Sequence, residues 1–162
     1  YLLRAAGLII GRYDARITGR DADKANDVPR FDPSYAATYG PFSAAMNSYL
    51  REELKFQNDL PYEILTGVQP WNYDARSSYP SVAGRLASVM SQNPYLRVLV
   101  LSGLSDLACP VDGMRYSVDH MQLDPVFRKN ISWAEYESGH MMYVNLPDLI
   151  KLQNDLAHFL QP

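Results

Sequence analysis

The apolar positions of the chain change their period several times, and each change marks an element. A short helix-like stretch comes first. Leu8–Thr18 is then β-rich, alternates in part and ends at Gly19. Arg12, Asp14 and Arg16 fall on one face of that expected strand, spaced to pair with one another or to face solvent, a structural role being favoured over substrate binding. Residues 20–41 form a polar connection with Asp, Asn, Pro and Gly, long enough to be either functional or an excursion from the core. From Ser43 to about Phe56, the positions of Ala45, Met46, Tyr49, Leu50, Leu54 and Phe56 predict an amphipathic helix. Residues 58–80 are turn-rich and aromatic, with Tyr62, Trp71, Tyr73 and Tyr79. Those rings are expected to pack the excursion against a sheet; lining a peptide-binding surface is the other reading.

The pattern becomes more regular from Ser81, a candidate N-cap for a helix that runs to about Gln92 and is closed by Asn93-Pro94. Arg97–Ser102 is a β-branched and leucine run, as expected of a parallel strand buried on both faces. Val111–Met121 predicts a helix and Ile131–Glu137 a second strand. Pro147 suits the first turn of a last helix, whose Leu149, Ile150, Leu152, Leu156, Phe159 and Leu160 form one apolar stripe. Strand, helix, strand, helix is the unit of a parallel α/β sheet, so the fold class expected is α/β. Residues 81–162 would be its core and about 20–80 the loop-rich excursion.

Composition narrows the class without naming a function. Hydrophobic residues at 47% and charged residues at 20% are ordinary for a globular protein, which argues against disorder. The net charge of −3 carries no basic footprint, so nucleic acid is not an expected partner. No apolar run approaches the roughly 18 residues of a membrane span, and no membrane partner is expected. Arg4 interrupts the apolar start, and there is no basic leader, so Tyr1–Ala6 is not read as a signal peptide. Cys109 is the single cysteine and has no internal disulfide partner.

Two segments carry chemistry. Val98-Leu-Val-Leu-Ser-Gly-Leu-Ser-Asp106 is an apolar run that stops at a carboxylate, and Glu137-Ser-Gly-His140 places a histidine on a small-residue turn after a strand. In open α/β sheets, ligands bind beyond the carboxyl ends of the strands, where both residues would lie. Asp then His, each after a strand, is the second half of the Ser, Asp, His order of α/β-hydrolases. In that reading Asp106 orients the imidazole and His140 is the general base. Gly139 is expected to supply a left-handed turn. The competing reading makes Asp106 a turn former or helix cap and His140 an ordinary loop residue. The first half of the motif, Gly-x-Ser-x-Gly, occurs nowhere in the 162 residues. Among the other histidines, His120 follows Asp119 at a helix end and His158 lies on the last helix, both structural or surface positions. Asp106, His120 and His140 lack a recognised metal-ligand spacing, so neither metal nor cofactor is expected.

Residues 98–110, with an apolar strand, Gly103, Asp106 and then Cys109, resemble the segment around the catalytic aspartate of the serine carboxypeptidase family. Glu137-Ser-Gly-His-Met-Met-Tyr143 resembles that family's Gly-His-Met motif around its catalytic histidine. Gly11-Arg-Tyr-Asp-Ala-Arg-Ile-Thr-Gly19, Asp59-Leu-Pro-Tyr-Glu63 and Gln69-Pro-Trp-Asn72 resemble its bacterial branch. The resemblance implies an α/β-hydrolase fold and a serine-type carboxypeptidase. Such an enzyme releases C-terminal amino acids from peptides through an acyl-enzyme, with Asp106 and His140 as triad members. It further implies that Cys109 lines the substrate pocket and that Met141 contacts substrate. Pro110 stands where many relatives have Asn, and Tyr143 replaces a family Pro.

On this reading the chain is the C-terminal portion of one catalytic domain. Its partners would be a peptide substrate and an upstream part of the same polypeptide carrying the nucleophile and oxyanion hole; alone it is expected to be inactive. A periplasmic or secreted setting follows from the same resemblance. The alternatives are an esterase or acyltransferase on this scaffold, and a non-catalytic or vestigial binding relative.

Overall fold

The structure, a computed structural model, describes residues 3–21, 28–65 and 81–161. Trp71, Tyr73, Tyr79 and the Gln69–Asn72 motif lie outside the described residues. Within them the protein is mixed helix and strand with a small parallel sheet, compatible with the α/β class.

The expected strand over Leu8–Thr18 is a short antiparallel hairpin. Strand β1 (Leu8–Ile10) pairs with β2 (Thr18–Arg20), and residues 11–17 form the turn between them. Asp14 makes the turn, because its carboxylate accepts the Arg16 N–H at 3.0 Å, a local bond that competes with a continuing strand. Arg12, Asp14 and Arg16 therefore share no strand face.

The first long helix, α1, spans Pro33–Ser48 and begins well before the expected Ser43. Asp32 caps it, accepting from Ser34 N and Tyr35 N, and Pro33 occupies the first turn, where its missing N–H costs nothing. Pro41 sits inside α1 without ending it. A π-helical turn, Tyr49–Glu53, continues from α1, and Lys55, at φ 53°, leaves the helical path.

The remaining elements follow the predicted order with one addition. Helix α2 (Ala83–Gln92) leads to β3 (Val98–Gly103). Ser81 sits one position outside the cap and accepts the Ala83 N–H at 3.3 Å. Helix α3 (Val111–Asp119) and the short α4 (Pro125–Arg128), capped by Asp124, connect to β4 (Ile131–Tyr136). Helix α5 (Leu146–Phe159) ends the described fold, with Pro147 in its first turn.

Strands β3 and β4 pair in parallel, in register from Val98 opposite Ile131 to Gly103 opposite Tyr136. Alternation then sorts their side chains to two faces. Val98 and Ile131 join Ala87 and Met90 of α2, with Met121 and Leu123 from the crossover. Leu99, Leu101, Ala134 and Tyr136 pack on the opposite face with Met142 and with Leu152 of α5. Helices thus cover both faces of the strand pair.

Expectations about burial need correction in three places, the first being that Ala45, Tyr49, Leu54 and Phe56, expected on the buried face of an amphipathic helix, are exposed. Val98–Leu101 are half-buried rather than buried, because β3 pairs with β4 alone among the described residues. Of the α5 stripe, Leu149, Ile150, Leu156 and Leu160 are exposed, and Leu152 alone joins the core. Polar contacts hold α5 instead. The Tyr136 hydroxyl donates to Asp155 at 2.9 Å, and Lys151 reaches both Asp155 at 2.7 Å and the Tyr136 ring at 4.4 Å.

The Lys151 hydrogen bond holds the Asp155 carboxyl below its ordinary pKa, aided by Tyr136 and opposed by burial. Burial, then the Asp155 bond, raises the Tyr136 hydroxyl, which therefore stays a donor. Removing that donor in Tyr136→Phe should cost about 1 kcal/mol near neutral pH, read as a lower urea midpoint. A carboxyl with a depressed folded pKa stabilises above its unfolded value of about 4, and that contribution is lost as pH falls through the folded value. The difference between Tyr136→Phe and the native protein should therefore shrink in acid; an equal difference at all pH values would remove Asp155 from the anchor.

Candidate active site

Asp106 lies on the turn that leaves β3. Its N–H donates to the Gly103 carbonyl at 3.1 Å, which closes the turn directly after the strand. The residue is buried, and the two carboxylate oxygens have separate tasks. Oδ1 accepts the N–H groups of Ala108 at 2.7 Å and Cys109 at 2.9 Å, shaping the approach to α3. Oδ2 lies 2.7 Å from Nδ1 of His140. Turn former and imidazole partner are thus one residue in two roles.

His140 follows β4 by a few residues and keeps an exposed ring, at 44% for the side chain against 4% for Asp106. With Nδ1 bound to a buried carboxylate, the proton belongs on Nδ1, and Nε2 is the nitrogen left to act on a third group. Among the described residues, no serine or threonine hydroxyl is hydrogen-bonded to the ring.

The hairpin turn 11–17 supplies what holds the histidine. The His140 N–H donates to the Tyr13 carbonyl at 2.7 Å, and the Gly139 N–H donates to Asp14 Oδ2 at 3.2 Å. The Tyr13 and His140 rings lie 5.6 Å apart, tilted by 52°. The same turn grips the aspartate loop, with Ala15 N donating to Ser105 O at 2.9 Å and Leu107 N to Arg12 O at 3.0 Å. The aspartate and histidine loops are tied directly by Ser105 N to Ser138 O at 3.0 Å.

Glycine makes these approaches possible. A Cβ on Gly139 would lie 2.0 Å from the Tyr13 carbonyl oxygen, and one on Gly103 would lie 2.1 Å from the Gly139 carbonyl oxygen. Gly139 is not among the residues with positive φ, which corrects the expected left-handed turn: its role is close backbone contact.

Asp14 is buried, and Arg16 clamps it with Nε at 3.0 Å and a terminal nitrogen at 2.7 Å. Burial opposes its charge, but the bonds from Arg16 and from Gly139 outweigh burial and keep the carboxyl below its ordinary pKa. The turn is in turn seated on α1, where Asp32 accepts the Arg12 N–H at 3.0 Å and Ser34 Oγ the Tyr13 N–H at 3.0 Å. A cavity of about 450 Å³, lined by Ile10, Arg12, Tyr13, Phe31, Asp32 and Tyr35 among others, adjoins this corner.

Of the other expected residues, Cys109 falls beside the pair. Cys109 is exposed, and its sulfur falls within 4.8 Å of a carboxylate oxygen of Asp106 and a ring nitrogen of His140. Burial, then the Asp106 charge, pushes its thiol above the ordinary value, with Arg12 pulling the other way. The thiol is thus protonated rather than poised for attack. Cys109 also borders an apolar groove of about 540 Å³ with Val100, Leu86, Met114 and Met121. Met141 directly follows His140, half-buried, and its carbonyl accepts the Val144 N–H at 3.1 Å. His120 caps α3, stacks on Tyr116 at 3.8 Å and bonds its Nδ1 to the Tyr116 carbonyl at 2.8 Å. His158 is exposed on α5.

Comparison with known protein families, with characterised proteins and with solved structures finds no match for this chain.

Asp14→Ala would free the Gly139 N–H and leave Arg16 without its clamp. Such losses at a buried site cost about 1–3 kcal/mol. The expected signature is faster amide exchange at Gly139 and His140, with β3 and β4 still protected. Unchanged exchange at both amides would mean that Asp14 does not hold the histidine loop.

Proposed function

We propose that this chain is the C-terminal portion of a serine carboxypeptidase of α/β-hydrolase fold and that it supplies the triad aspartate and histidine. One observation carries the reading: the buried Asp106 and the exposed His140 meet at 2.7 Å beyond the carboxyl ends of two adjacent parallel strands. The family-like motifs around both residues support it, and so does the burial asymmetry. A base must reach substrate, whereas its orienting carboxylate works best shielded from water.

In this mechanism His140 Nε2 takes the proton from a serine hydroxyl carried by the upstream part of the polypeptide. The serine oxygen attacks the C-terminal peptide carbonyl, and His140 returns the proton to the departing amino acid. Water then repeats the cycle on the acyl-enzyme. Asp106 Oδ2 holds Nδ1–H throughout and stabilises the imidazolium. Cys109 and Met141 border the site as residues of the substrate pocket. By the same resemblance the protein acts in the periplasm or outside the cell.

The test is hydrolysis of blocked dipeptides by the polypeptide that carries the nucleophile. His140→Ala and Asp106→Asn should each lower kcat about 10³–10⁴-fold, with KM little changed. The chain alone should show no turnover. Activity that survives both substitutions would overturn the assignment, and cleavage of esters with no action on peptides would move the chain to an esterase.

A further inference from the structure

We propose that Asp106, Cys109 and His140 form a binding site for a zinc-class divalent cation, and that such an ion switches the dyad off. One carboxylate oxygen, one thiol sulfur and one imidazole nitrogen lie within 4.8 Å of one another, each from a different donor chemistry. Zinc accepts all three donor types, and three protein ligands leave its fourth position to water. The set differs from the one weighed in the sequence: Cys109 takes the place of His120, which is committed to Tyr116 on α3.

The positions of the donors favour an ion that arrives from solvent. Cys109 and His140 are exposed and Asp106 is buried behind them. Asp106 Oδ1 is already satisfied by two backbone N–H groups, so Oδ2 is the oxygen that can turn to a metal. Because Cys109 itself supplies one of those N–H groups, the turn that fixes Asp106 also fixes where the sulfur starts. Binding forms a metal–sulfur bond and releases the thiol proton to solvent, and the imidazole proton moves from Nδ1 to Nε2 so that Nδ1 can coordinate; no electron transfer is involved. The ion displaces the Asp106–His140 hydrogen bond, so the imidazole is no longer held as a base. The inhibitory half of this proposal rests on the function proposed above, whereas the binding half does not.

The chain should be titrated with Co²⁺, a spectroscopic stand-in for zinc. A thiolate-to-cobalt absorption band that saturates at one ion per chain and is displaced by Zn²⁺ is the expected result. Cys109→Ser should abolish the band, and His140→Gln should weaken binding at least about tenfold, both with an unchanged circular dichroism spectrum. His120→Gln should leave the titration as it was. Absence of saturable binding, or equal binding by Cys109→Ser, would overturn the site. In the nucleophile-bearing polypeptide, zinc should stop peptide hydrolysis at the concentration that fills the site. A cobalt band in a nucleophile-bearing polypeptide that hydrolyses nothing would retain the metal site and refute the carboxypeptidase.

Discussion

The backbone of Gly139 passes between Gly103 on one side and the Tyr13–Asp14 peptide on the other, at distances that admit no side chain. That junction is the constraint on which the site depends. It joins three segments far apart in sequence: the turn after β1, the turn after β3 and the loop after β4. Hydrogen bonds of 2.7–3.2 Å across the junction fix their relative positions without calling on any side chain of the dyad itself. The imidazole and carboxylate therefore meet on a scaffold made chiefly of backbone bonds, with the Asp14 carboxylate as its side-chain member. Such a scaffold has fewer soft torsions than one built from side chains, which is what a preorganised pair requires.

Asp106 shows why the ordinary and the chemical reading of a residue need not compete. A carboxylate that only formed a turn would leave its second oxygen to water. Here that oxygen is buried and turned to His140, while the first oxygen takes two backbone donors. The turn bonds restrain the carboxylate plane and thereby aim Oδ2. Asp14 repeats this economy on the opposite side of the histidine loop, taking Arg16 with both oxygens and the Gly139 N–H with one of them.

What could be read from the sequence follows the range of the forces involved. β3, β4 and α5 were legible because their apolar runs and Pro147 are local signals, and Asp106 and His140 because each ends or follows such a run. The start of helix α1 is hard to read from the sequence because Pro41 has the character of a breaker, while the stronger start signal, Asp32-Pro33-Ser34, sits inside a polar stretch. The hairpin was merged into one strand because alternation across Arg12, Asp14 and Arg16 mimics the β period, although Asp14 folds back on Arg16. The role of Asp14 had no local signature. Its partner Gly139 is 125 residues away, and only the closed structure brings the two together.

The sheet itself cannot be the source of the site's precision. Two parallel strands with half-exposed Val98–Leu101 make a small platform, and among the described residues each strand has one edge unpaired, where parallel strands of this composition are normally flanked by further strands. Further apolar surface lies open on each side of the pair: the exposed stripe of α5 on one, and the apolar groove between α2 and α3 on the other. Such surface favours association with further strands and helices, and an upstream part of the polypeptide, as proposed, would meet it there. The dyad, by contrast, is held by contacts among residues 11–17, 103–109 and 136–140, all within the described chain. Alignment of the acid and the base is thus a local property, separable from whatever delivers the nucleophile. On this division of labour, covering the edge of β3 would raise the stability of the whole while leaving the Asp106–His140 geometry where the three turns have already set it.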